Sequence, residues 1–172
     1  MALIRPAFPE DVTAISQIHA ASWRHAYRGI IPQAYLDTLA ENQWVPALTN
    51  GLKYEGMRAY LSIQKGQAVG AITLGPGRKE IAGAPEEDSW GEIYSVYILP
   101  SHTGKGQGRA LISHALSVLR DMGFSRCYLW VAADNTPAIG FYQHMGFSAD
   151  GITHDFPIMG EAISELRLSI KL

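Results

Sequence analysis

The 172-residue chain has one cysteine, no long uncharged apolar run and no surplus of positive charge. Each shortage narrows its function. A lone Cys127 excludes an internal disulfide, and its place inside the apolar run "CYLWVA" marks a packed thiol rather than a nucleophile. No stretch reaches the roughly 18–20 apolar residues of a membrane span. The opening "MALIRPAFPEDV" lacks the basic start and apolar middle of a secretion signal, so the expectation is a cytoplasmic protein without a membrane partner. With 14 basic against 16 acidic residues the net charge is −2, which removes the bulk basic character of a nucleic-acid binder. Histidines 19, 25, 102, 114, 144 and 154 are scattered and no His/Cys pair has ligand spacing, so no metal is expected.

What the chain does have is a 47% hydrophobic composition, enough for the core of one domain spanning 1–172. "ALIRPA" reads as a short strand, and Pro9-Glu10-Asp11 supplies a helix start ahead of Ile15, Ile18, His19 and Ser22 at helical spacing. A second helix follows "RGIIP", carrying Tyr35, Leu36 and Leu39, with "WVPALTNGL" as its continuation to Gly51. Lys65-Gly66-Gln67 joins two β-rich runs into a hairpin, and residues 76–90 read as a surface loop. "GEIYSVYILP" is a central strand ended by Pro100, and a helical face from Ala110 to Met122 stops at Gly123. "SRCYLWVAA", the short helix "NTPAIGFYQHM", a strand after "GF" and the alternating tail "SELRLSIKL" complete a mixed α/β order. Residues 91–131 look like a parallel crossover.

The stretch "HTGKGQGRAL" places three glycines and two cations where a strand passes into a helix. Unpaired N–H groups at a helix start carry positive partial charge, and glycines let phosphate oxygens approach them. Gly104, Gly106 and Gly108 therefore describe a phosphate cradle, to which Lys105 and Arg109 add charge. A P-loop requires Ser or Thr after Gly-Lys, but Gly106 follows Lys105. A dinucleotide turn requires the strand to run straight into the first glycine and an acid closing the next strand; residues 100–103 intervene, and "YLWVA" ends without an acid until Asp134.

A third anion is the pyrophosphate of coenzyme A. "LPSHTGKGQGRALI" followed by "NTPAIGFYQHMGF" resembles the paired signature of the GNAT superfamily of N-acetyltransferases: Gln/Arg-x-x-Gly-x-Gly/Ala, then Asn-x-x-Ala-x-x-Phe-Tyr-x-x-x-Gly-Phe. The resemblance is strongest over 92–147. It implies a GNAT-type α/β fold: a twisted mixed sheet of about six to seven strands, splayed at the cofactor cleft and flanked by about four helices. It further implies that Val96, Tyr97 and Ile98 meet the pantetheine arm of acetyl-CoA and polarise the thioester. By the same resemblance Gly104, Lys105, Gly106, Gln107, Gly108 and Arg109 hold the pyrophosphate, and Asn135, Ala138 and Phe141 flank the arm and its sulfur. Tyr142 matches the tyrosine that protonates the leaving thiolate. The loop departs from the pattern at Thr103, where Gln or Arg is usual, and Lys105 with Arg109 is expected to compensate.

Attack of an amine on a thioester needs a neutral amine, a stabilised oxyanion and a proton for sulfur. Tyr142 is the expected acid and Glu92, at the start of the central strand, the expected base; the plain alternative for Glu92 is a solvated strand-end charge. Relatives that acetylate protein N-termini often carry a glutamate where this chain has Trp130, which turns the expectation toward a small-molecule primary amine. Trp23, Tyr27 and His25 of "SWRHAYRG" are candidates for the acceptor pocket, with Trp23 or Tyr27 able to hold a cation over a ring. The alternatives are a non-catalytic acyl-CoA binding module, a dinucleotide-binding protein, or acetylation of a protein amine; the resemblance also allows a homodimer.

Overall fold

The computed structural model describes residues 3–54 and 56–172, so Ala2 of the expected first strand lies outside the described residues. Two hairpins frame a seven-stranded sheet. Strand β1 (Leu3–Pro6) pairs antiparallel with β2 (Arg58–Gln64), and β2 with β3 (Gln67–Pro76). The turn between β2 and β3 puts Lys65 and Gly66 at φ 49° and 78°, the doubly left-handed pair that matches strand twist in a two-residue hairpin. Met159 and Gly160, at φ 51° and 83°, turn β6 (Ser148–Ile158) into β7 (Glu161–Lys171) in the same way. Between the hairpins lie β4 (Trp90–Ile98) and β5 (Arg126–Ala132), and the sheet order is β1-β2-β3-β4-β5-β7-β6.

Alternation along the strands sends side chains to two helical layers. On one face α4 (Gln107–Asp121) buries Leu111, Ile112, Ala115 and Leu119 against Ile72, Leu74, Ile93 and Leu129. On the other, α1 (Val12–Ala26) and α3 (Val45–Tyr54) pack Ile15, Ile18 and Leu48 against Leu61 and Ala71. Helix α2 (Gln33–Thr38) sets Leu36 over Ala132, Ile158 and Ile163, and α5 (Thr136–His144) follows β5.

The expected single helix from Tyr35 to Gly51 is two. Leu39 leaves α2 in an extended conformation (ψ 116°), and Pro46 suits only the opening turn of a new helix, because it has no N–H to give to a preceding turn. Five α-helices therefore occur among the described residues rather than about four.

Two features of β4 prepare the site. Thr73 pairs with Ser95 and Leu74 with Ile93, which leaves Tyr94 as an extra residue in a bulge. The parallel pairing of β4 with β5 lasts only from Trp90↔Arg126 to Glu92↔Tyr128. Beyond that point the two strands diverge.

Candidate active site

Where β4 and β5 part, the backbone groups facing the gap lose their ladder partners, and the wedge opens into a cleft of about 610 Å³. Residues 93–98 and 129–131 form its walls, and Asn135, Pro137, Ala138, Phe141 and Tyr142 line it from α5. Ser22, His25 and Ala26 of α1, with Tyr27 just after it, lie at its far side, while Pro100, His102, Thr103, Gly104, Gly106, Gly108 and Arg109 make the rim. The structure thus gathers in one cavity most of the residues expected to meet a cofactor.

The rim is a cradle built from backbone. Gly104 and Gly106 have φ of 70° and 82°, and no atom lies within 4 Å of where a Cβ would stand on either, so the loop presents open space. Gly106 caps α4 and no side chain caps its N-terminus, leaving first-turn N–H groups available to an anion. Two side chains of this loop are engaged elsewhere. The Lys105 ammonium donates to the Ser101 carbonyl at 2.8 Å and does not line the cleft. Gln107 is buried and its side-chain oxygen accepts from the Ser62 hydroxyl, so that side chain serves the core. Arg109 is the cation that lines the rim beside His102, while the Thr103 hydroxyl is spent on the Pro100 carbonyl at 3.0 Å.

Helix α5 begins where Asn135 accepts the Ala138 N–H at 3.3 Å with Pro137 in its first turn, which aims Phe141 and Tyr142 at the cleft. The Tyr142 ring packs on Phe141 and Phe147, with centroids 5.3 and 6.0 Å away. Burial pushes its phenol well above the ordinary value, with Tyr27 adding to the shift, so it keeps its proton at neutral pH.

Helix α1 is fixed across the splayed end of β4. The Ser22 hydroxyl donates to the Ile98 carbonyl at 2.9 Å, and the Trp23 indole N–H donates to the Tyr97 hydroxyl at 2.8 Å. Trp23 does not line the cleft; its ring lies among Tyr27, Tyr35 and Trp44, where it positions Tyr97. Tyr27 does line it, with its hydroxyl 3.5 Å from that of Tyr97. Burial raises the Tyr97 phenol well above its usual range, so this pair is held neutral.

Glu92 departs furthest from expectation. Neither a solvated charge nor part of the cleft lining, it is fully buried at the closed end of the wedge. Its carboxylate accepts from the Arg78 guanidinium at 2.5 Å and 3.1 Å, from the Arg78 backbone N–H at 2.9 Å and from the Tyr128 hydroxyl at 2.9 Å. Burial works against the Arg78 charge, but Glu92 outweighs it and the guanidinium is held above its ordinary value. A carboxylate so engaged anchors the 77–89 loop to the sheet. Spacing could not reveal this network, because its members stand at 78, 92 and 128.

A second cluster escaped sequence reading. Trp130 lines the cleft, and behind it the His154 ring stands edge-on at 4.3 Å. His154 Nε2 lies 2.8 Å from Glu165 Oε2. These residues come from β5, β6 and β7, and only the strand register brings them together.

Comparison with known proteins agrees with this geometry. Residues 13–147 match the Acetyltransferase (GNAT) family. An uncharacterized N-acetyltransferase, YuaI, of Bacillus subtilis (strain 168) is 33% identical over 98% of this chain and 92% of its own. Among solved structures, that of YncA of Salmonella typhimurium, a putative acetyltransferase with its cofactor acetyl-CoA, superposes with a TM-score of 0.74 at 22% identity, covering 99% of this chain and 94% of the other. A ribosomal-protein-alanine N-acetyltransferase of Brucella melitensis gives 0.76 at 24% identity and covers 99% of each chain. With its splayed strands, glycine cradle and Asn135-to-Tyr142 helix, the chain belongs to the GNAT family of acetyltransferases.

Proposed function

We propose that the chain moves the acetyl group of acetyl-CoA to a primary amine of a small molecule, by direct attack while both are bound. The observation that carries this reading is the wedge, which offers unpaired β4 backbone along one wall, an anion cradle at one end and Tyr142 on its lining. In this reading the diphosphate lies over Gly104, Gly106, Gly108 and the start of α4 with Arg109 beside it. The pantetheine arm runs along residues 96–98 past Ala138 and Phe141, and a β4 N–H polarises the thioester carbonyl.

The amine nitrogen then forms its bond to the carbonyl carbon, and the carbon–sulfur bond breaks as the adduct collapses. Tyr142 gives its proton to the departing thiolate. Its raised pKa makes the phenolate a strong base, and that phenolate regains a proton from the nitrogen of the adduct, which is acidic once acylated. Glu92 has no place in this scheme, because its carboxylate is committed to Arg78 and Tyr128.

A small acceptor is favoured by how closely the 77–89 loop packs beside Trp130, a residue of the cleft lining. The 77–89 loop folds down on it: a Cβ on Gly83 would meet Ile152 at 2.7 Å and Trp130 at 3.3 Å, and Arg167 donates to the Gly83 carbonyl at 2.6 Å. An extended peptide needs an open channel there. The test is release of free CoA on a panel of amines and peptides, with the acetylated product trapped. Tyr142→Phe should lower turnover about 10²–10⁴-fold while acetyl-CoA affinity stays within twofold of wild type. Equal turnover removes the acid role, and binding without turnover on any acceptor favours the non-catalytic module.

A further inference from the structure

A hydroxyl chain runs from the cleft wall at Ser95 to a buried imidazole that the reaction above does not use. The bulge at Tyr94 sets Ser95 opposite Thr73, and the Ser95 side chain meets His19 of α1. Ser95 is half-buried and lines the cleft. Its Oγ lies 2.6 Å from Thr73 Oγ1 and 3.3 Å from His19 Nε2. Thr73 and His19, 2% and 4% exposed, stand behind it and do not line the cleft. The rings of Tyr97 at 4.7 Å and Trp44 at 5.7 Å enclose the imidazole, and burial lowers its pKa to about 4. It is therefore neutral at neutral pH, and one of its nitrogens carries a bare lone pair.

The chain has a direction. Thr73 has Ser95 as its side-chain partner among the described residues, and a buried hydroxyl proton without an acceptor is costly, so Thr73 donates to Ser95. Ser95 keeps one proton and one lone pair to place, with His19 as its other buried neighbour. We propose that His19 Nε2 takes the Ser95 proton, so that Ser95 Oγ accepts an N–H of the acceptor amine and turns the nitrogen lone pair toward the thioester carbon. A hydroxyl free to donate into the cleft would instead bond that lone pair, the one that must attack.

The inference deepens the acetyltransferase reading and rests on it. There the pantetheine arm runs from the cradle along residues 98 to 96, so Ser95 is the next β4 residue beyond the arm. The amine meets it neutral. As the carbon–nitrogen bond forms the nitrogen becomes positive, and its hydrogen bond to Ser95 becomes charge-assisted. A contact that strengthens in the transition state raises kcat rather than lowering KM. Of the two hydrogens on a primary nitrogen, one leaves to the Tyr142 phenolate and the other stays as the amide N–H at Ser95. His19 gains no proton at any step; it is a positioning residue that acts through Ser95.

Steady-state kinetics of the full chain with acetyl-CoA and hydroxylamine test this, with acetohydroxamate measured above the rate without protein. Hydroxylamine is a weakly basic primary amine small enough to need no side-chain pocket. Ser95→Ala should lower kcat about 10–100-fold, as for loss of one hydrogen bond to a charged group. The KM for hydroxylamine and the affinity for acetyl-CoA should stay within about threefold. His19→Leu, which fills the apolar site but offers no acceptor, should lower kcat by a similar factor. His19→Gln, whose side-chain oxygen can stand where Nε2 does, should recover most of that loss. Adding His19→Leu to Ser95→Ala should cost no more than about twofold further, because the histidine has nothing left to act through. Unchanged kcat in Ser95→Ala, losses that multiply in the double variant, or a His19→Leu loss that His19→Gln does not recover overturns the inference. Failure of the acetyltransferase reading shows in the wild type itself, as no acetohydroxamate above the uncatalysed rate, and takes this inference with it.

Discussion

Glu92 shows how little a residue's place in a sequence says about its task. At a strand start it reads as a surface charge or a free base, yet the loop after β3 returns and lays Arg78 on it. Breaking one side of a buried ion pair strands the other charge. Arg78→Met should therefore cost about 3 kcal/mol in urea unfolding, the low end for such pairs, because the Arg78 side chain keeps 41% exposure. Adding Glu92→Met should recover much of the loss, since the stranded carboxylate is gone. A change below about 0.5 kcal/mol in the single variant, as for an ordinary surface site, removes the anchor reading. Tyr142 is the opposite case. Its motif was legible, and the structure adds the burial that holds its proton.

At the scale of elements, the turn into α4 joins backbone conformation to function. Gly106 adopts φ +82°, which costs an L-residue about 1–2 kcal/mol, and no neighbouring atom would touch an added methyl. Gly106→Ala should thus lower the melting temperature by about 2–8 °C through backbone strain. It should weaken acetyl-CoA more than this strain predicts, because the methyl occupies the space the anion needs. Full retention of affinity would show that the anion keeps its distance from Gly106. The break between α2 and α3 belongs to the same scale. Apolar spacing continues across residues 39–45, and only Pro46 in the sequence hinted at a restart.

Over the whole molecule, burial of His19 couples stability to pH. Buried between α1 and the sheet, with Trp44 at 5.7 Å and Tyr97 at 4.7 Å, its imidazole is pushed down to about 4 by desolvation. The unfolded chain takes up that proton near pH 6.5 and the folded chain does not. Stability should therefore fall as pH drops from about 6.5 to about 4, by roughly 3 kcal/mol from this group. Glu165, raised by burial, acts with the opposite sign in the same window. Asp11, held low by Arg5, loses its contribution only at more acid pH. Comparing urea midpoints of wild type and His19→Gln at pH 7 and pH 5 isolates the histidine: the variant should show the smaller decline. An equal decline would assign the acid sensitivity elsewhere.

The sequence by itself determined the glycine cradle, the helix from Asn135 with its tyrosine, most of the strands and hairpins, and hence the family. These follow from local chemistry: cap residues, positive-φ glycines and apolar periods act within a few positions of one another. The tertiary structure decided what each charged or aromatic side chain does. It turned Lys105 and Gln107 away from the cradle, made Trp23 a support for Tyr97, locked Glu92 to Arg78 and brought His154 and Glu165 behind Trp130. Those partners meet through strand order, register and the splay of β4 from β5, none of which is written in the spacing of any one segment.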